Sequence, residues 1–365
     1  MKYFYLITLI WIVSACKTSN EKTDTNRADA NTGSYHIITF SDEEVPIRIP
    51  LTGHKYAFEE IFQPESILSV DGLLVVGDRY QKSMIHLIDI NNNRYIRKYG
   101  QFGEGPGEIV SVSDFLPGHS PGSFWAYSRN GKRLSEFNVK DTNALAVRQI
   151  QLEGDFFRAI EMAWSSDSTF MTTRSDGDEK FVEFNLDGNV INAFGSWRGM
   201  IGNEKTPSSI IISLHQGNLV SSRDKSVFLK TCVQRDMLEI FNRKTNQTIS
   251  IRGPENKVPK FTIDYSPGYP MPVVGKNFQL FYGNGFIGSE FVYCLYSGQF
   301  TEMLAKWGDY NKKIYVFNLE GAVQAVFELD HSLYNFTVDE EHKKIYGVTY
   351  DRDPNIVEFD LPKIN

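Results

Sequence analysis

Arginine recurs in one local context along this sequence, a short polar stretch between apolar runs: Asp78-Arg79-Tyr80, Ser128-Arg129-Asn130, Thr173-Arg174-Ser175, Gln234-Arg235-Asp236 and Asp351-Arg352-Asp353. A sixth stretch, Tyr296-Ser297-Gly298, keeps the polar turn and carries no arginine. A planar guanidinium fork matches carboxylate, sulfate or phosphate oxygens, so five forks brought to one place would recognise anions. Asp78, Asp236 and Asp353 offer three of these arginines an acid close in sequence, and such pairs compete with any ligand.

Other reactive types are present without the spacing their chemistry needs. His36, His54, His86, His119, His215, His331 and His342 are scattered, with no HExxH and no close His/Cys grouping of the kind that builds zinc sites. No Ser/His/Asp or Cys/His set has a local signature, so no catalytic residue is assigned. Calcium is the one cation the residues could invite, through Asp89 with Asn91, Asn92 and Asn93, or Asp176 with Asp178; the same Asx residues are ordinary turn formers. The loop Gly103 to Glu108 lacks GxGxxG and GxxxxGK[ST], and Pro106 removes a backbone donor, so it reads as a turn and not as a phosphate cradle.

The elements that would carry these loops are strands. The chain has 365 residues, 18 Tyr and 26 Phe, and from about residue 64 shows short alternating apolar runs between Gly, Asn, Asp and Ser clusters. An apolar residue followed by Asn or Asp recurs six times, at Ile88-Asp89, Phe137-Asn138, Phe184-Asn185, Phe241-Asn242, Phe317-Asn318 and Phe359-Asp360, at intervals of 49, 47, 57, 76 and 42 residues. That is the period of a four-stranded propeller blade, with insertions in the two long intervals. One sheet alone would leave two apolar faces wet, so the blades must stack in a closed ring. The fold expected is all-β, a six-bladed β-propeller over 35–365. Its last blade shows three strands, so an N-terminal strand is needed to complete it. His36 to Phe40 is the first candidate and Val45 to Leu51 the second.

Strand parity in such blades sends the second-to-third-strand loops and the inter-blade connections to one face, the upper face. That face would gather the five arginines and Tyr296, with two insertions, about 253–277 and 297–312. The first carries Tyr265 and Tyr269 among prolines, rings that can stack on sugars or peptide side chains.

The N-terminus reads as a targeting segment. Tyr3 to Ala15 is an apolar run of thirteen residues, against the roughly 20 a spanning helix needs, and it fits the h-region of a signal peptide over 1–15. Val13-Ser14-Ala15-Cys16 resembles a bacterial lipobox, which implies diacylglyceryl attachment at Cys16. Residues 16–34, polar and without large apolar side chains, would be a leash spanning roughly 23 Å as a coil. Cys232 and Cys294 remain, either as two buried thiols or, if their Cα atoms approach within about 7 Å, as a bridge.

The blade succession, the loop Gly100 to Glu108 and the ending Phe336-Thr337-Val338-Asp339 with Lys344-Ile345-Tyr346-Gly347-Val348 resemble the TolB-like six-bladed propeller lipoproteins of Gram-negative bacteria, over about 60–362. The resemblance implies a lipid-anchored protein of the cell envelope, at the outer membrane and periplasmic or surface-exposed. The function expected is binding or scaffolding, with an anionic small molecule, glycan or protein partner on the upper face and no cofactor. The competing class is a metal-dependent lactonase-, hydrolase- or lyase-like enzyme at the channel mouth. A net charge of −7 and the absence of long basic runs argue against nucleic acid.

Overall fold

The computed structural model describes residues 33–79, 82–201, 205–305 and 310–364. Cys16, the apolar run before it and most of the leash lie outside the described residues. Six antiparallel meanders occupy 64–101, 114–151, 159–196, 219–252, 282–329 and 333–360. They are blades one to six. The first strand of blade one, Pro64–Val70, lies against the first strands of blades six and two, Leu333–Asp339 and Asp114–Pro117, so first strands surround the axis.

The apolar runs read as near-continuous because each sheet is covered on both faces, and the pleat sends alternate residues to opposite neighbours. In Leu73–Asp78, Val75 packs toward blade two while Leu74 and Val76 pack toward blade six. In Ser123–Ser128, Phe124 and Ala126 face blade one, and Trp125 and Tyr127 face blade three. The contact of blade six with blade one, through Val348, Ile356, Leu74 and Val76, closes the ring.

The repeated Asn/Asp sits at the end of every third strand, and in five blades its side chain accepts backbone N–H groups of the following turn. Asn185 Oδ1 takes Asp187 N at 3.1 Å and Asn189 N at 2.9 Å; Asp89, Asn138, Asn242 and Asn318 do the same. The sequence repeat is an Asx turn that reverses the chain into the outer strand.

Three N-terminal strands finish the ring. β1 (Ser34–Thr39) runs parallel to the outer strand of blade four, Gln247–Arg252; β2 (Arg48–Leu51) runs parallel to the outer strand of blade five, Val323–Leu329; and β3 (His54–Lys55) pairs antiparallel with Ile356–Asp360. An N-terminal strand therefore completes blade six, as the sequence requires, but it is neither candidate. His36 to Thr39 is committed to blade four, where the preceding Tyr35 bonds Glu239 at 3.1 Å, and Phe40 packs on Tyr315 and Phe317 of blade five. Pairing Ser34 with Gln247 starts β1 at the lower end of blade four, so the preceding chain joins the ring at its lower rim.

The interface between blades three and four differs from the others. Among the described residues four ion pairs cross it: Lys180–Glu239 at 2.6 Å, Lys230–Glu161 at 3.0 Å, Arg243–Glu183 at 2.8 Å and, at the lower rim, Lys225–Asp167. Lys180 also lies over the rings of Tyr35 and Trp197. A helix, α1 (Ser208–Leu214), and a hairpin, Phe261–Asp264 with Met271–Val274, are the additions to the blades above this region. Cys232 and Cys294 are both buried and unbridged. Burial pushes the Cys232 thiol up to about 11 and Cys294 higher still.

Candidate functional site

The upper ends of the first strands and the turns between second and third strands enclose a cavity of about 880 Å³ at the mouth of the central channel. Blade one contributes Glu65, Asp78, Arg79 and Lys82; blade two contributes Asp114, Arg129 and Asn130; blades four to six contribute Asn218, Asn284, Tyr310, Asn311, Tyr334 and Asn335. Blade three is not represented.

Of the five arginines, the structure brings two to this cavity. Arg79 pairs with Glu65 at 3.0 Å and not with the adjacent Asp78, whose carboxylate instead accepts the N–H groups of Phe62 and Gln63 at 2.6 and 2.8 Å. Arg129 is exposed, its backbone N–H held by Ser113 Oγ at 3.1 Å; its guanidinium makes no hydrogen bond or ion pair with a described residue, though its charge reaches Asp114.

The other three are elsewhere. Arg174 pairs locally with Asp176 at 3.0 Å. Arg235 is buried under α1, donating to the Met200 carbonyl at 2.7 Å and to His215 Nε2 at 2.6 Å; burial and this cation hold the imidazole well below its usual range. Arg352 is exposed at the rim of blade six, outside the cavity lining. The arginines share a place in the repeat without forming a ring, because the residues inserted before blade four cover one of them and local acids engage another.

The tyrosines divide similarly. Tyr296 is buried between Tyr282 and Tyr315, with both ring centroids at 5.1 Å, and burial raises its hydroxyl far above the ordinary range. Tyr265 and Tyr269 are exposed at the tip of the hairpin and do not line the cavity.

Lys82, Asp114, Tyr310, Asn311 and Tyr334 are cavity residues that sequence reasoning missed. Asp114 and Tyr334 occupy the upper ends of first strands, the rim position in each blade, and that position was a usable signal. Burial pushes the Asp114 carboxyl up to about 6, partly offset by Phe115 N–H and Arg129, and burial likewise raises Glu65. Asn284 donates to Asn335 and Asn335 to the Glu65 carbonyl, so these two amides brace first strands against each other.

Among the described residues, every strongly exposed aromatic lies on an upper-face segment: Phe62, Phe102, Phe157, Tyr265, Tyr269, Phe300 and Tyr334. The lower face carries the Asx turns that follow the third strands. The oxygens considered for calcium are engaged within the protein, Asp89 by Asn92 and Arg94, Asp176 by Arg158 and Arg174, Asp178 by Arg198 and Ser208. No group of three His, Cys, Asp or Glu side chains able to hold a metal occurs among the described residues.

A closed ring of six four-stranded blades with a polar cavity at one channel mouth defines a six-bladed β-propeller. The sequence profile of the family described as TolB-like 6-blade propeller-like matches residues 39–341, and the chain belongs to that family. Solved structures share the fold. A member of the duf4221 family from Bacteroides vulgatus aligns with a TM-score of 0.55 at 11% identity, over 85% of this chain and 96% of that one. A Bacteroides fragilis protein described as exported aligns with a TM-score of 0.55 at 11% identity, over 91% of this chain and all of that one. No curated protein matches the sequence.

Proposed function

We propose that this propeller is a binding module of the cell envelope, tethered through a lipidated Cys16, that captures an anionic ligand in the channel-mouth cavity with Arg129 as the principal contact. The observation that carries this reading is a guanidinium on the cavity wall that makes no hydrogen bond or ion pair with a described residue, while its equivalents Arg79, Arg174 and Arg235 are all engaged. An unpaired fork in a concave site is a standing acceptor-binding position. The lipobox-like Val13 to Cys16, the family and the description of the Bacteroides fragilis neighbour as exported support the envelope location.

The cavity is tested by thermal unfolding of the wild type and Arg129→Ala in inorganic phosphate and in acetate, each against chloride at equal ionic strength. General salt effects are common to both proteins, so the expected result is extra stabilisation of the wild type alone. Equal shifts in the two proteins remove the site. The anchor is tested separately by the mass of the N-terminal peptide from membranes, which carries diacylglycerol at Cys16 if the proposal holds.

One observation favours an enzyme as a second reading: a carboxyl pushed up to about 6 inside the cavity, at Asp114, is a disposition found at catalytic acids. Stoichiometric calcium or zinc in elemental analysis of the purified protein would move the conclusion there.

A further inference from the structure

We infer that the ligand class of this cavity is an acidic saccharide, a uronic-acid-containing glycan whose carboxylate meets Arg129 and whose hydroxyls meet the neighbouring amides. The inference rests on the cavity being the binding site. The cavity wall holds three acids, Glu65, Asp78 and Asp114, and three bases, Arg79, Lys82 and Arg129. Glu65 and Arg79 neutralise each other, and Asp78 is occupied by backbone donors. What is left for a ligand is Arg129 and Lys82, with Asp114 beside them. Such a balance suits a single carboxylate; a ligand carrying several phosphate charges would find Arg129 and Lys82 as the uncommitted bases of the wall, with Asp114 beside them.

An inorganic oxyanion can engage Arg129 but does not match the rest of the cavity. It only accepts hydrogen bonds and would fill a small part of about 880 Å³, leaving the amides unused. The side chains of Asn130 and Asn218 line the same space with no described partner, and each amide offers both a donor and an acceptor. Hydroxyl groups, which also donate and accept, are their natural complement. Phe102 and Tyr334 add exposed rings at 58% and 42% relative exposure, apolar faces for the C–H side of a sugar ring. A peptide ammonium is disfavoured because the acids of the wall are already engaged: Glu65 by Arg79, Asp78 by backbone donors, and Asp114 by the Phe115 N–H and the neighbouring charge of Arg129.

Isothermal titration of the folded propeller with oligosaccharides of galacturonic and glucuronic acid, set against galactose and glucose oligomers of the same linkage, tests the inference. The acidic oligomers are expected to bind at least about tenfold more tightly than the neutral ones, the scale of one hydrogen-bonded charge. Arg129→Ala should remove that difference, Arg129→Lys should restore part of it, and Tyr334→Ala should weaken acidic and neutral oligomers alike. Both positions are exposed, and unchanged circular dichroism confirms that the variants fold. Equal affinity for acidic and neutral oligomers, absence of binding by either uronate series, or binding indifferent to both substitutions overturns the inference. If uronates fail while phosphate or acetate still stabilises the wild type more than Arg129→Ala, the cavity survives and the saccharide falls. If no probe depends on Arg129, both fall.

Discussion

Single side chains in this propeller divide by whether their charge has somewhere to go. Glu239 does: it takes Lys180 at 2.6 Å and the Tyr35 hydroxyl at 3.1 Å in a space closed to water. Glu239→Ala would strand the Lys180 ammonium, and a loss of about 3–5 kcal/mol in denaturant unfolding is expected. Asp114 is the opposite case, a carboxyl that burial keeps protonated up to about 6. Its folded-state value is raised, so it binds a proton below that pH and carries a negative charge beside Arg129 above it. An anionic ligand should therefore bind more tightly at pH 5 than at pH 7.5, and Asp114→Asn should flatten that dependence in titrations at the two pH values. At this scale the sequence was half legible. Arg79, Arg129, Arg174 and Arg235 look alike as Asp/Ser/Thr/Gln-Arg stretches, but three of their fates are set by Glu65, by Asp176 and by α1, while Arg129 makes no ion pair with a described residue; Glu65 is remote in sequence and α1 belongs to an insertion with no repeat signal.

At the scale of elements, legibility was far better because the signal was mechanical. The apolar-Asx pair marks the end of the third strand in each blade, where the Asx side chain must accept the turn's N–H groups. Asn185→Ala removes two such bonds and should cost about 1 kcal/mol, read as a lowered unfolding midpoint with an unchanged denaturant slope. The short N-terminal strands were harder. His36 to Phe40 is the more apolar strand, but closure falls to the two residues His54–Lys55, whose pairing is secured by Lys55 to Asp351 at 2.9 Å and by Tyr56 to Glu358 at 2.8 Å. Composition alone does not reveal a strand that short. The three segments predict different truncation outcomes. A chain starting at residue 41 loses β1 and the Tyr35 contact and should melt at lower temperature as a closed ring, whereas one starting at residue 57 loses the strand that completes blade six and should no longer show a single cooperative melt.

The whole molecule is two-faced. Exposed aromatics, the cavity, α1 and the hairpin occupy one face, and the Asx turns after the third strands occupy the other, where β1 begins at Ser34. In lipid-anchored protein on vesicles, a fluorophore at position 246 on the lower rim should be quenched by lipid-borne quenchers more strongly than one at position 102. Equal quenching would mean that the cavity does not point away from the bilayer. The direction of β1 has one more effect. It runs alongside Gln247–Arg252 in the same sense, with six residues in register, and its free end emerges along the strand axis. A pull on Ser34 along that axis would load those six rungs together in shear and not peel them singly, the geometry in which a strand pair resists separation most.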